Sequence, residues 1–267
     1  MRKSVRVVSI AAACAIAGGA LYGTGVATAD GDRVTEAKHS AEPHNIGLLV
    51  KEIDEYYGTT LDGDGVYQAS PKSPYAKDVA GVLARARQDI KRLADRAERH
   101  GDRPAIVLDV DDTALLSLDY EKKTNYVYND KTWKEYVDKA ARPAVFGMPE
   151  LVAYAKKQNV EVFFLTGLGE AQRPAAVKNL AKAGFDTSLD RAHMYLKNKA
   201  EPPAYLSDCA TPEAWKCTTV QYKEGTRKHI ESTGFSIIGS FGDQHSDLDG
   251  GYADKTYKLP NPTYFVE

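Results

Sequence analysis

Apolar positions along this chain follow two rhythms. From Pro74 onward, Val79, Val82, Leu83, Ala86, Ile90, Leu93, Ala94 and Ala97 recur every third or fourth residue. That spacing predicts one long helix, stopped by Gly101, whose charged residues form a solvated face. A shorter pattern of the same kind, Ile46, Leu49, Val50 and Ile53, predicts a helix over 44–57 ending near Gly58. Residues 58–73 between them read as a loop rich in Gly, Asp, Ser and Pro. Its Asp62-Gly63-Asp64-Gly65 lacks the EF-hand spacing and closing Glu, so calcium is not assigned there.

Beyond Gly101, short apolar runs alternate with helical patterns. Strands are predicted over 105–109, 161–165, 193–196 (the weakest), 236–241 and 257–259. Helices are predicted over 149–157, 170–183 and 222–232, with Gly184 and Gly234 behind the last two. Strands separated by helical stretches of about 10–15 residues imply right-handed βαβ units and a largely parallel sheet. The fold class is therefore α/β, a doubly wound, Rossmann-like core. The interval 114–147 breaks the alternation and is too long for a βα loop. It concentrates Tyr120, Tyr126, Tyr128, Trp133 and Tyr136, and reads as a small α-helical cap inserted after the first strand. Those aromatics either line a substrate pocket or form the cap's own core, and the sequence leaves both open.

The start of the chain reads as an address. Arg2, Lys3 and Arg6 precede the apolar stretch 7–21, and Ala27-Thr28-Ala29 offers a small-residue exit before Asp30. This predicts a secretory signal over 1–29, cleaved after Ala29. Gly18 and Gly19 interrupt a stretch already short of the about 20 apolar residues that a membrane span needs. An uncleaved anchor is the alternative. Cys14 has no Leu or Val three residues before it and is read as a small apolar residue discarded with the leader. The remainder divides into a polar segment and helix over 30–74 and a core domain over 75–267. Cleavage would remove three positive charges and no negative ones, taking the formal net charge from −2 to −5 over the remaining 238 residues. A mildly acidic exported chain has no general attraction for nucleic-acid polymers or anionic membranes. Nothing in the sequence sets an oligomeric state. Cys209 and Cys217 survive processing and are expected to form one disulfide in an oxidising compartment. A metal site there would need a third Cys or a nearby His, and the nearest, His229, lies outside the loop.

Candidate chemistry gathers where strands end. The first strand runs into Asp109-Val110-Asp111-Asp112-Thr113, at the carboxyl edge where open α/β sheets bind ligands. Asp109 and Asp111, two apart, project to the same side if strand geometry persists. Such a pair can hold a divalent metal, and one carboxylate can attack phosphorus while the other handles protons. In isolation the motif is a strand stopping at an acidic turn, but three later sites fall where that chemistry needs them. Leu165-Thr166-Gly167 ends the second strand, with a hydroxyl able to donate to a phosphate oxygen and a glycine that lets the backbone N–H approach it. Tyr222-Lys223-Glu224 opens a helix, where the Lys223 ammonium can offset repulsion between carboxylates and phosphate; Lys197 and Lys199 compete for this role. Gly242-Asp243-Gln244-His245-Ser246-Asp247 follows a later strand, and Asp243 and Asp247 would complete a hard oxygen site. That donor set suits Mg²⁺, whereas zinc would call for His or Cys and His245 alone is weak support.

Asp-x-Asp-Asp-Thr, Leu-Thr-Gly, Tyr-Lys-x-x-x-Arg and Gly-Asp-Gln-x-Ser-Asp-Leu occur in this order after the fitting elements. In this, residues 75–267 resemble the haloacid dehalogenase (HAD) superfamily, and more closely its secreted acid phosphatases of subfamily IIIB, relatives of plant vegetative storage proteins. The resemblance implies a HAD-like Rossmannoid core with a helical cap and Mg²⁺-dependent hydrolysis of a small-molecule phosphomonoester. It implies Asp109 as nucleophile and metal ligand, and Asp111 as general acid–base with its backbone carbonyl on the metal. Thr166 and Lys223 would bind the phosphoryl group, with Gly167 beside them. Asp243 would ligate the metal, and Asp247 would support it directly or through water. One departure stands out: relatives often carry Arg after the Thr/Ser-Gly pair, where this chain has Leu168, and Arg173 is the candidate substitute. A phosphotransferase on the same aspartyl-phosphate and a non-catalytic storage or binding protein are the rival readings. Intact Asp109 argues against the second. The leader and the cap argue against a receiver domain. A cap rich in Tyr and Trp is compatible with nucleotides or aryl phosphates.

Overall fold

A computed structural model describes residues 43–267. The expected leader, its cleavage site and the polar stretch 30–42 lie outside the described residues. Helix α1 (Ile46–Tyr57) starts on Asn45, whose side chain accepts from the Gly47 and Leu48 N–H groups, and ends at Gly58 with φ 56°. Of its expected apolar face only Ile53 is buried, along with Tyr57; Ile46 and Leu49 stand 76% and 44% exposed. A small antiparallel hairpin, β1 (Thr60–Leu61) and β2 (Tyr67–Gln68), occupies the expected loop. The Asp62 carboxylate is used up inside it, accepting from the Asp64 and Val66 N–H groups and the Gln68 side chain.

Helix α2 (Pro74–His100) is capped by Ser73, carries Pro74 at its first position and stops at Gly101, φ 79°. All eight apolar positions predicted from its periodicity are buried. The chain then passes through β3 (Arg103–Leu108), the cap helices α3 (Leu118–Lys123) and α4 (Asp130–Asp138), α5 (Met148–Lys157), β4 (Glu161–Gly169), α6 (Arg173–Lys182) and β5 (Met194–Lys197). A short hairpin, β6 (Ala210–Thr211) and β7 (Ala214–Trp215), leads to α7 (Thr219–Ser232), β8 (Phe235–Gly242) and β9 (Thr256–Lys258). Cys209 and Cys217 flank that hairpin and are disulfide-bonded, their Cα atoms 4.7 Å apart.

Five strands form one all-parallel sheet in the order β5-β4-β3-β8-β9. The chain moves outward from β3 through β4 to β5, then returns to β8 on the other side, which makes β3 the switch point of the sheet. Side chains alternate between its faces. Ile106, Leu108, Val162 and Phe164 pack with α2, α5 and α6, while Ala105, Val107, Phe163 and Leu165 meet Tyr222 and Ile230 of α7. Each fully buried aliphatic or aromatic side chain contributes roughly 1.5–3 kcal/mol.

Two differences from the sequence reading bear on the site. Strand β4 continues past 165 to Gly169, and the helix expected from 170 opens as a 3-10 turn before α6. Helix α7 begins at Thr219, not at Tyr222, because Thr218 and Gln221 form a reciprocal capping box. Lys223 therefore sits in the second turn of α7, not at its start. Among the described residues, no helix is long and apolar enough to cross a membrane.

Candidate active site

Register brings the expected residues together. Leu108 of β3 pairs with Phe164 of β4 on one side and Phe241 of β8 on the other. Three strands thus end side by side, setting Asp109 next to Leu165-Thr166 and Gly242-Asp243. The Asp109 N–H donates to the Phe241 carbonyl at 2.9 Å, which continues the ladder one residue beyond the strand. After it the chain turns sharply at Asp112, whose φ is 54°. The buried Asp112 carboxylate accepts from the Ser117 N–H and hydroxyl and so fixes this turn. Of the three acidic residues in the motif, Asp112 is the one committed to holding the loop.

Asp109 is 6% exposed and lies 2.5 Å from the Lys223 ammonium, which is 3.0 Å from Asp247 and also donates to the Leu165 carbonyl. An ammonium has three N–H groups, and all three of Lys223 are engaged here. Burial works against the lysine's charge, but Asp109 and Asp247 outweigh it and hold its pKa well above the usual lysine range. The Asp109 carboxyl is pushed well up by burial; Lys223 opposes this, and Asp247, Asp243 and Asp111 add to it.

Asp243 is 2% exposed. It accepts from Thr113, Gln244 and Asn261 at 3.3, 2.7 and 2.7 Å. Burial and then the neighbouring Asp247 and Asp112 push its pKa up to about 7 against those hydrogen bonds. Asp247 is buried beside it and accepts from the Gln244 N–H at 3.0 Å. A methyl group on Gly242 would overlap the Asp247 side chain, which gives the Gly-Asp pair a steric reason. Arg227, fully buried, donates to the carbonyls of Asp247, Asp249 and Gly251 and holds this loop from behind. Carboxylate oxygens of Asp109, Asp243 and Asp247 all lie within 4.8 Å of one another. Three buried carboxylates crowd one lysine, with oxygen donors only; a hard divalent cation fits that set and would relieve their mutual repulsion. His245 is exposed and the cluster contains no Cys, so the donor set does not suit zinc.

Asp111 takes a different position. Its carboxylate is ion-paired with Arg142, whose side chain is 1% exposed, and accepts from the Thr166 hydroxyl at 3.4 Å. Arg142 is fixed in turn by two hydrogen bonds between its backbone and Asn179, at 3.0 and 2.7 Å. Thr166 is buried and also accepts from the Leu168 N–H at 3.1 Å, which shapes the turn after the strand. Gly167 is exposed on the cavity wall. Leu168 is buried in the core, and Arg173 does not stand in for an arginine there: its guanidinium is held by Glu170 and the Met194 carbonyl. Lys197, at the end of β5, lines the cavity with no hydrogen bond to any described residue. Burial and the nearby Lys223 and Lys199 hold its pKa below the usual lysine range.

Asp109, Asp243, Asp247, Lys223, Gly167 and Lys197 share a cavity of about 980 Å³ with Asp111, Thr219 and the cap. The aromatics of the cap divide between both expected roles. Tyr120 is buried against Trp133 and Tyr136, with ring centroids 4.9 and 5.3 Å apart, whereas Tyr126, Tyr128 and Trp133 line the cavity. Sequence reasoning passed over Arg142, Glu121 and the terminal stretch from Tyr264, all of which belong to the site or its wall. Tyr264 and Val266 are tied to Gln244 through their backbones. None of them lies in a periodic segment or a recognisable motif.

A family model described as HAD superfamily, subfamily IIIB (Acid phosphatase) matches residues 67–267. Acid phosphatase 1 of Solanum lycopersicum is 30% identical over 192 residues, covering 67% of this chain and 69% of that protein. A stem 31 kDa glycoprotein of Glycine max is 29% identical over 274 aligned positions, 98% of this chain and 96% of its own length. Vegetative storage protein 1 of Arabidopsis thaliana is 27% identical over 167 residues, 60% and 54% of the two chains. Among solved structures, the class C acid phosphatase from Bacillus anthracis superposes with a TM-score of 0.51 at 21% identity, covering 69% of this chain and 78% of that one. That protein has also been solved with tungstate bound. The structural likeness establishes the HAD-like fold, a central parallel sheet flanked by helices.

Proposed function

The chain belongs to the HAD superfamily acid phosphatases of subfamily IIIB, a family of phosphoric monoester hydrolases, and from that premise we propose an exported, Mg²⁺-dependent phosphomonoesterase that works through an aspartyl-phosphate on Asp109. One observation carries this reading. Asp109 is retained at the end of β3, buried between Lys223 and the Asp243–Asp247 pair and open to the cavity. Asp109, Asp243 and Asp247, with the Asp111 backbone carbonyl, would hold the metal, which when bound supplies positive charge to offset the phosphate oxygens.

Asp109 attacks phosphorus in line, forming a carboxyl–phosphorus bond as the ester oxygen departs. Asp111, at the cavity edge, acts in its protonated form, released from its pair with Arg142, and gives that proton to the leaving alkoxide. It then takes a proton from the water that attacks the aspartyl-phosphate, which releases phosphate and restores Asp109. Lys223 has no free N–H and serves chiefly to hold and neutralise Asp109. Lys197, beside Gly167, is offered to an incoming phosphate together with Lys199 and the Gly167 N–H on the cavity wall, with the buried Thr166 hydroxyl behind them. The 3.4 Å contact of that hydroxyl with Asp111 is long enough to be exchanged for a phosphate oxygen. Export is supported by the leader-like composition of 1–29 and by the disulfide.

The test is hydrolysis of 4-nitrophenyl phosphate by wild-type protein and Asp109→Asn, with Mg²⁺ and with EDTA. Turnover that EDTA removes, Mg²⁺ restores and the variant lacks is the expected result. Turnover indifferent to EDTA, or retained by the variant, would contradict it. Adding an acceptor alcohol and analysing products separates water from alcohol as the phosphoryl acceptor.

A further inference from the structure

Glu121 of α3 has no part in the chemistry above, yet it is 6% exposed and lines the same cavity. Its carboxyl group has no hydrogen-bond or ion-pair partner among the described residues. Its carboxylate oxygens open onto the cavity, where a cationic ligand group can pair with them. Burial, with Asp112 nearby, pushes its pKa up to about 8.

The surroundings identify the kind of ligand. Within the cap the cavity is walled by Glu121, Asp130, Tyr126, Tyr128 and Trp133, and by no lysine or arginine. Lys122 and Lys123, next in the chain to Glu121, pair with Asp54 at 2.7 Å and Asp119 at 2.8 Å, Lys122 lying 5.9 Å from the Tyr126 ring. Arg142 is held on Asp111, its guanidinium 5.5 Å from the Trp133 ring. The strand-end side of the same cavity carries Lys197, Lys199 and Lys223. The cavity is thus basic where phosphate is bound and both acidic and aromatic along the cap. A carboxylate with aromatic rings is the surface that receives an ammonium group. A neutral nucleobase or aryl group would use the rings but leave Glu121 unpaired.

We propose, building on the phosphatase reading, that Glu121 is a specificity-determining residue that selects phosphomonoesters of amino alcohols by pairing with the ammonium of the leaving group. Tyr128 supplies aromatic surface to the same cation, beside Trp133, whose ring Arg142 already faces. The incoming positive charge favours ionised Glu121, so that the pair forms as the substrate seats.

The experiment compares kcat/KM for ethanolamine phosphate, choline phosphate, glycerol phosphate and 4-nitrophenyl phosphate in full-length wild type and Glu121→Gln. In parallel, choline binding is followed by tryptophan fluorescence, with Trp133→Phe to identify the reporting ring. Wild type is expected to favour the ammonium esters over glycerol phosphate by about tenfold, one well-placed charge contact. Glu121→Gln should lose most of that ratio and the choline response. Turnover of 4-nitrophenyl phosphate without ammonium preference or choline binding would overturn the assignment of Glu121 and leave the phosphatase reading standing. Choline binding that depends on Glu121, without turnover of any ester, would support the cation site and remove the phosphatase reading instead.

Discussion

On the proposed reading, Lys223 and Lys197 divide between them the work of one catalytic lysine. Lys223 is 2% exposed and its three donors end on Asp109, Asp247 and the Leu165 carbonyl. Removing it would leave two buried carboxylates without a counter-charge, a loss of roughly 3–5 kcal/mol for a broken buried pair. Lys223→Met is therefore expected to lower the unfolding midpoint and abolish turnover together. Lys197→Met should leave the midpoint near wild type, raise KM about tenfold and lower kcat less. Steady-state kinetics alongside thermal unfolding checks both, and the reverse pattern would exchange their roles. At this scale the sequence was legible wherever a residue sits at a fixed offset from a strand end. Asp109, Asp243 and Asp247 meet because β3 and β8 are in register, and a strand's last residue can be read from its apolar run. Arg142 and Glu121 come from the irregular interval 114–147, where no period says which side chain turns inward. The commitment of Asp112 to Ser117 was likewise hidden, because it depends on a left-handed backbone at a non-glycine residue.

Elements were read best where one period runs long. The face of α2 was predicted position by position, since a 27-residue helix against a sheet leaves little choice about which stripe is buried. The start of α7 was placed three residues late, at Tyr222, although Thr218 and Gln221 spell a capping box. That shift carries Lys223 one turn inward, to where it can reach Asp109. Helix α1 shows the opposite failure: an apolar pattern of the right spacing, with Ile46 and Leu49 left exposed among the described residues. The Cys209–Cys217 bond closes the β6–β7 hairpin one residue before the cap of α7. Loop-closure entropy assigns it roughly 2–3 kcal/mol. Cys209→Ser should lose about that much in denaturant unfolding while kcat stays within about twofold, because no catalytic group touches the bond. An unchanged midpoint, or two reactive thiols in the wild-type protein, would contradict this.

For the whole molecule, the parallel sheet and its switch point decide where chemistry can occur. The alternation of strands and helices sufficed to predict a largely parallel sheet; its strand order, and with it the switch point at β3, follows from packing that the alternation does not specify. The cavity itself was not legible. Its wall joins strand ends, the cap and the stretch from Tyr264, segments far apart in sequence whose meeting follows from packing. The proposed function centres on a covalent phosphoryl intermediate on Asp109. The direct measurement is rapid acid quench of Mg²⁺-loaded protein during turnover of 4-nitrophenyl phosphate, followed by peptide mass spectrometry. The account predicts a phosphoryl adduct on Asp109, absent in Asp109→Asn and discharged when turnover is allowed to finish. Turnover with no adduct on Asp109, or an adduct on another residue, would contradict it.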